Sequence, residues 1–277
     1  MSRWPEKGPQ VDRHSLFECH GVEMITAKLP GIFRHDEVGD LIRLGRDYDG
    51  GYVICGKDVQ EADFLIGLGI NDDWSFETDF TQKNDVPVLA YDGSINGRQF
   101  LWRAIKELRR VVDKPSLTKR AWKTYFSYTN FFKGHRRHIE KFVGREKGEH
   151  QVSIKEIFDS TASQKIFLKI DIEGSEYEIL DEILDVQNRI TGMAIEFHDC
   201  GQHLEEIGSF LERLNLQIVH IHANNYSPLD ASLLPAALEI SFSADPGPSK
   251  GACRYPRALD RPNKASGDEI CLSFEGG

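Results

Sequence analysis

Residues 165–180, KIFLKIDIEGSEYEIL, constrain the fold more than any other stretch of the chain. Ile166, Phe167, Leu168, Ile170 and Ile172 read as a buried strand, because a short apolar run bounded by turn signals fits a sheet strand covered on both faces. The run breaks at Glu173-Gly174, and the apolar residues resume at helical spacing in SEYEILDEIL. Alternation along the strand puts Lys169 and Asp171 on the same side. Asp171 then emerges at the carboxyl end, with Glu173 in the turn beyond it. A buried lysine needs a partner, so Lys169 reads first as half of a structural ion pair.

The same strand–turn–helix grammar recurs. ADFLIGLGI (62–70) and VPVLAYDGS (86–94) read as buried strands, with FETDFTQKN as a helix between them. QFLWRAIKELRRVV (99–112) has apolar residues at helical spacing and a basic opposite face. AWKTYFSYTNFF (121–132) is aromatic and reads as a strand. GMAIEFHD (192–199) is a further strand and HLEEIGSFLERL (203–214) a further helix. LQIVHIHANN, ALEISFS and EICLSFE close the chain as three strand candidates. Upstream, LIRLGRDYDGGYVICG (41–56) reads as two short strands around the turn Asp49-Gly50-Gly51. Alternating strands and helices imply an α/β fold with a mostly parallel sheet, and the closing strands imply antiparallel additions at one edge. Residues 1–40 are expected to form an N-terminal extension packed on the core. Residues 41–277 are expected to form one Rossmann-like domain with a basic helical insertion at about 96–150.

In such a sheet ligands bind at the carboxyl ends of the strands. The first strand delivers Gly67, Gly69 and Asn71 there, and glycines let a ligand approach the backbone. The second delivers Asp92, suited to ribose hydroxyls. Next come Asp171 and Glu173, then Glu196, His198 and Asp199, and finally His220, His222 and Asn224. GLGIND places Asp72 where a dinucleotide fingerprint has its third glycine, which counts against a pyrophosphate site and a nicotinamide-dependent oxidoreductase. An acidic crevice suits S-adenosylmethionine, which has no phosphate and carries a sulfonium cation.

FLKIDIEGSEYEIL resembles the strand-four signature of the FkbM-type methyltransferases, which reads roughly LKIDIEGxExxxL. RLGRDYDGGYVI, IGLGINDDWSFETDF, AYDGSI, IEFH, HIHANNY and YPRALDRPN are similar to the same branch, in order, over about residues 41–275. The glycine motif departs from the commoner DxGANxG. The resemblance implies a class I, Rossmann-like, S-adenosylmethionine-dependent methyltransferase, acting on oxygen of a sugar, glycan or secondary metabolite. It implies cofactor contacts from Gly67, Gly69, Asn71, Asp92, Asp171 and Glu173, and it brings Asp49 or Tyr52 to the border of the pocket.

Methyl transfer to a hydroxyl requires an aligned acceptor and a proton acceptor. Histidine titrates in the right range, so His198 or His222 is expected as the base beside Asp171. Alternatively Asp171, Glu196, His198 and His222 converge on a divalent cation, Mg²⁺ or Mn²⁺, that acidifies the hydroxyl. His135, Arg136, Arg137 and His138 form a basic cluster suited to a phosphate or carboxylate on the acceptor.

Charge is segregated. Residues 98–149 hold 15 Lys/Arg against 5 Asp/Glu, whereas the whole chain has a net charge of −10. The basic segment is expected to cap the acceptor side of the crevice. The absence of a [DNS]-P-P-[YFW] motif and the acidic balance count against the alternative of a nucleic-acid-directed methyltransferase, and no specific nucleic-acid partner is expected. No apolar run approaches the ~20 residues that span a bilayer. The five cysteines form no CxxC pair, and a reduced, cytoplasmic setting is expected.

Overall fold

The computed structural model describes residues 18–19, 22–23, 25–145, 148–226 and 229–275. At its centre lies a seven-stranded sheet: β1 (Phe64–Leu68), β2 (Val88–Tyr91), β3 (Arg136–Ile139), β4 (Ile166–Ile170), β5 (Ile190–Phe197), β6 (Gln217–Ala223) and β7 (Leu238–Ser243). The spatial order is β3-β2-β1-β4-β5-β7-β6. Every neighbouring pair from β3 to β5 is parallel, and β7 runs antiparallel to both β5 and β6. The α/β class and the antiparallel C-terminal addition are therefore as expected. The last closing segment, Cys271–Phe274, lies outside this sheet and pairs in parallel with Thr26–Leu29.

Alternation along the strands divides the core. Ile66, Leu168 and Ile195 point to a face covered by α4 (Ile154–Asp159), α5 (Glu176–Val186) and α6 (Leu204–Arg213). Leu65, Phe167 and Ala194 point to the other face, covered by the antiparallel ribbon Leu41–Leu44/Tyr52–Cys55 and by α1 (Ser75–Lys83). Ala27, Leu29 and Phe33 are fully buried in the first of these cores, so the stretch before residue 40 contributes directly to it.

Between β2 and β3 the chain forms a helical hairpin, α2 (Gly97–Glu107) and α3 (Pro115–Phe131). Pro115 occupies the first turn of α3, where its missing N–H costs nothing. The aromatic run read as a strand is thus a helix. Its ring spacing lets Tyr128 and Phe132 pack on Trp74. Arg136–Ile139, read as a basic cluster, is the edge strand β3. Arg136 and His135 pair with Asp85 beside the amino end of the strand, while His138 bonds Tyr128 and the Asp92 carbonyl. Strand alternation thus sends neighbouring members of the cluster to opposite faces of the sheet.

Candidate active site

A cavity of about 490 Å³ opens at the carboxyl ends of β1, β2 and β4. Gly69, Asn71, Asp92, Asp171 and Glu173 line it, as the sequence led us to expect. Asp49 also lines it, from the ribbon turn. Eight acidic residues face it against three basic ones, Arg46, Lys141 and Lys169.

Two positions make the close approach of β1 and β4 possible. Gly69 has φ +75, and a Cβ there would overlap the Asp171 carbonyl oxygen. Asn71 follows at φ 42, a conformation asparagine tolerates better than most residues. Asp92 holds this turn in place. Its Oδ2 accepts from the backbone N–H of Ile70 and Asn71 at 3.0 and 2.8 Å, and its Oδ1 accepts from Ser94 N and Oγ at 2.7 and 2.5 Å. Burial would raise the Asp92 pKa, but these four donors outweigh it and the carboxyl is held below its ordinary value. Asp92 therefore staples the two strand ends as well as lining the cavity.

Gly67 lies one step deeper and does not line the cavity. A Cβ there would stand 2.8 Å from Glu77 Oε1, so the glycine makes room for that carboxylate. Glu77 is 1% exposed, and its Oε1 has no hydrogen-bond partner. Desolvation pushes its pKa up to about 7, with Lys169 pulling the other way. Glu77 lies in the first turn of α1, where a carboxylate is favourable in any case, and sequence reasoning goes no further than that. The signal it missed was the glycine opposite.

Lys169, the charge inside the apolar strand, is a clamp. Its Nζ donates to the Gly69 carbonyl at 2.7 Å and to Asp171 Oδ2 at 3.4 Å, and lies 5.6 Å from the centre of the Tyr52 ring. Burial lowers its pKa, but Asp171, Glu77 and Glu196 more than offset this, and the net shift is upward.

Beside this cavity stands a polar row along the ribbon face of the sheet. Tyr52 OH lies 3.1 Å from Asp171 Oδ2 and 3.3 Å from Glu196 Oε2, and Asn224 Nδ2 donates to Glu196 Oε1 at 2.8 Å. Desolvation, Glu239 and Asp171 raise the Glu196 pKa to about 8. His198 Nδ1–H donates to Glu176 Oε1 at 3.0 Å, while its Nε2 lies 3.7 Å from Glu173 and 3.9 Å from Glu196. Desolvation would lower the His198 pKa, but Glu176, Glu196 and Asp171 prevail and raise it to about 9. Ligand atoms of Asp171, Glu196 and His198 lie within 4.8 Å of one another.

His222 does not join them. It sits opposite Glu239 in the β6–β7 ladder, its Nδ1 is 3.1 Å from Glu239 Oε2, and its Nε2 is 3.0 Å from Glu269 Oε2. Both ring nitrogens are engaged, so His222 has none left for a substrate or a metal. Burial would lower its pKa, but the two carboxylates lift it to about 10. Glu239 in turn faces Glu196 across the β5–β7 ladder. His222 thus balances a pair of like charges set opposite each other in a sheet. His220 is similarly spent on Asp260, at 2.8 Å.

The basic segment 98–149 reaches the cavity through Lys141, Phe142 and Val143 rather than through its helices. No residue of α2 or α3 lines it, and the wall on that side is Lys141, Phe142, Val143 and Gln151.

A family model described as the Methyltransferase FkbM domain matches residues 106–226. The match spans β3 to β6 and ends before β7, so Gly69 and Asp92 lie outside it. No curated protein is a significant match. Among solved structures, the chain is similar to precorrin-6y C5,15-methyltransferase from Geobacter metallireducens GS-15, at 11% identity and TM-score 0.36, covering 68% of this chain and 83% of that one. It is also similar to a putative sarcosine dimethylglycine methyltransferase from Galdieria sulphuraria, at 10% identity and TM-score 0.37, covering 68% and 80%. The sheet order and the lone antiparallel strand carry the fold class independently of these alignments. Residues 106–226 thus match the methyltransferase FkbM domain, and they lie on a mostly parallel sheet of the order expected for a class I methyltransferase fold.

Proposed function

We propose that the protein transfers a methyl group from S-adenosylmethionine to a hydroxyl of a sugar, glycan or small secondary metabolite. The observation that carries this reading is the junction of two sites: an acidic cavity over the glycine turn, and the Asp171–Glu196–His198 cluster along its edge. The cavity fits the cofactor by size and charge. Gly69 permits close approach to the backbone, and the orphan Glu77 oxygen and the Asp171 carboxylate are complementary to a cation. Bound S-adenosylmethionine supplies the electrophilic methyl group.

On the acceptor side, Asp171 and Glu196 take up and share protons through Tyr52. Asp171 Oδ1 has no protein hydrogen bond among the described residues, since Tyr52 and Lys169 both use Oδ2. It is the oxygen available to orient an acceptor hydroxyl. His198 has its Nδ1–H fixed on Glu176, the arrangement that sets an imidazole for ligation or proton exchange through Nε2. Two carboxylates and one imidazole also form a donor set suited to Mg²⁺ or Mn²⁺. A divalent cation held by Asp171, Glu196 and His198 would supply Lewis acidity towards the acceptor hydroxyl.

Two measurements test this reading. Titration calorimetry should show binding of S-adenosylhomocysteine and none of NAD, and the reverse result refutes it. Transfer to a panel of hydroxyl acceptors should then be followed with EDTA and with added Mg²⁺ or Mn²⁺. Loss and rescue assigns the cluster to a cation, whereas survival leaves Asp171 as the proton acceptor, with the charged His198 beside it. Transfer confined to amines or thiols rejects O-methylation.

A further inference from the structure

The inner side of the α2–α3 hairpin is accounted for by burial of Phe100, Ala104, Thr118 and Phe131. Its outer side is not. Trp102, Ile105 and Leu108 recur at three-residue spacing along α2 and the 3₁₀ turn Leu108–Arg110 that extends it, and Val112 follows four residues on in the loop beyond. They are 62%, 50%, 47% and 88% exposed. Isolated exposed apolar residues are ordinary, but contiguous ones mark an interaction surface. Seven of the twelve exposed large apolar side chains among the described residues lie between positions 102 and 126.

The charge on this hairpin has one sign. Residues 97–131 hold nine Lys/Arg against two Asp/Glu, while the rest of the chain holds 25 against 42. Of the nine, Arg110, paired with Glu107, alone forms an ion pair among the described residues. Arg98, Lys106 and Arg109 interleave with the apolar stripe, and Lys106 stands 5.1 Å from the Trp102 ring centre.

These two properties together discriminate between partners. A nucleic acid would use the cations and the aromatic rings, but it gives no return for exposing Ile105, Leu108, Val111 and Val112. A second copy of the chain would bring the same unpaired cations onto themselves, at a repulsive cost. An anionic bilayer satisfies both, since headgroups take the Lys/Arg and the acyl boundary takes the aliphatic stripe and the indole. We infer that the outer face of the α2–α3 hairpin is a peripheral docking surface for membranes rich in anionic lipid. The inference stands apart from the reaction proposed above, because no residue of the hairpin lines the cavity.

Co-sedimentation of the full chain with phosphatidylcholine vesicles, with and without phosphatidylserine, tests it. Binding is expected only with phosphatidylserine present and should weaken as salt is raised. The double variant I105D/V112D should lower partitioning about tenfold or more. Its melting curve should match the parent's, because both side chains are exposed. Equal partitioning of parent and variant, equal binding to both lipids, or no vesicle binding overturns the inference. RNA binding that persists in the variant, without vesicle binding, would reassign the face to nucleic acid. A dimer that the variant dissociates, again without vesicle binding, would reassign it to self-association.

Discussion

The hydroxyl of Tyr52 lies 3.1 Å from Oδ2 of Asp171, a residue 119 positions further along the chain. The same hydroxyl lies 3.3 Å from Glu196, so one phenolic proton serves two carboxylates. Burial, together with the Asp171 and Glu196 charges, raises the Tyr52 pKa well above its ordinary value. Tyr52→Phe should remove the shared donor and leave two acids facing each other. We expect a loss of about 1–3 kcal/mol in urea unfolding, the cost of stranding buried acceptors. Transfer activity should fall with it. A variant as stable and as active as the parent would show that the hydroxyl is incidental.

Asp92→Ala should affect both stability and ligand binding, since it releases four hydrogen bonds that shape the glycine turn. A loss of about 1.5–3 kcal/mol in S-adenosylhomocysteine affinity is expected. Gly69→Ala should be at least as damaging, because the added Cβ meets backbone rather than a yielding side chain. Unchanged affinity in folded Asp92→Ala protein, read by calorimetry, would remove this turn from the cofactor site.

The two histidines should separate cleanly. His222→Ala leaves Glu239 and Glu269 buried without their cation, so we expect a loss of about 3–5 kcal/mol in stability. The sign follows from its raised pKa. The contribution is complete below the ordinary pKa of 6.5 and is lost as pH climbs through about 10. His198→Ala, in contrast, should cut turnover with a smaller effect on stability, because its Nε2 side is open. Stability curves and single-turnover rates for both variants decide the matter, and a reversed pattern would exchange their roles.

Asp58 makes a stability prediction away from the site. It is 2% exposed, Ser243 Oγ donates to its Oδ1 at 2.9 Å, and Oδ2 has no partner. Burial raises its pKa from 3.8 to about 7. The folded state therefore holds this proton more tightly than the unfolded state. Its stabilising effect is complete below pH ~4 and is lost as pH rises through about 7. Asp58→Asn should thus gain on the parent at pH 8 and match it only at about pH 4 and below in thermal melts. Parallel pH profiles for the two proteins would rule this out.

Much of this architecture was legible in the sequence because buried parallel strands announce themselves. Ile166–Ile170 and Phe64–Leu68 are apolar runs closed by turn residues, and strand-end logic placed Asp171, Asp92 and Gly69 on one cavity. Edge strand β3 escaped because RRHI has no apolar alternation. Helix α3 was misread because Trp, Tyr, Phe and Thr favour strands intrinsically, while packing on Trp74 decides otherwise. The place of His222 depended on the register that sets it opposite Glu239, and on Glu269 reaching it from 47 residues away. Neither relation leaves a local mark on the chain.

The parallel ribbon of Thr26–Leu29 with Cys271–Phe274 has a consequence for biosynthesis. All seven strands of the sheet have been translated once Ser243 is made. At that moment the partner of Thr26–Leu29 is still unsynthesised, and so is Glu269. A nascent chain can assemble its sheet on the ribosome, yet its first described core strand must wait for residues 271–274 to emerge. Long-range pairings of this kind close late. Pairing of these two segments then follows completion of the sheet, and the same stretch delivers the second carboxylate to His222. Emergence of residues 269–274, rather than completion of the sheet, is the step that closes this ribbon. Arrested chains ending near residue 260 should accordingly be cut by protease around residues 25–33, while chains that include residues 271–274 resist.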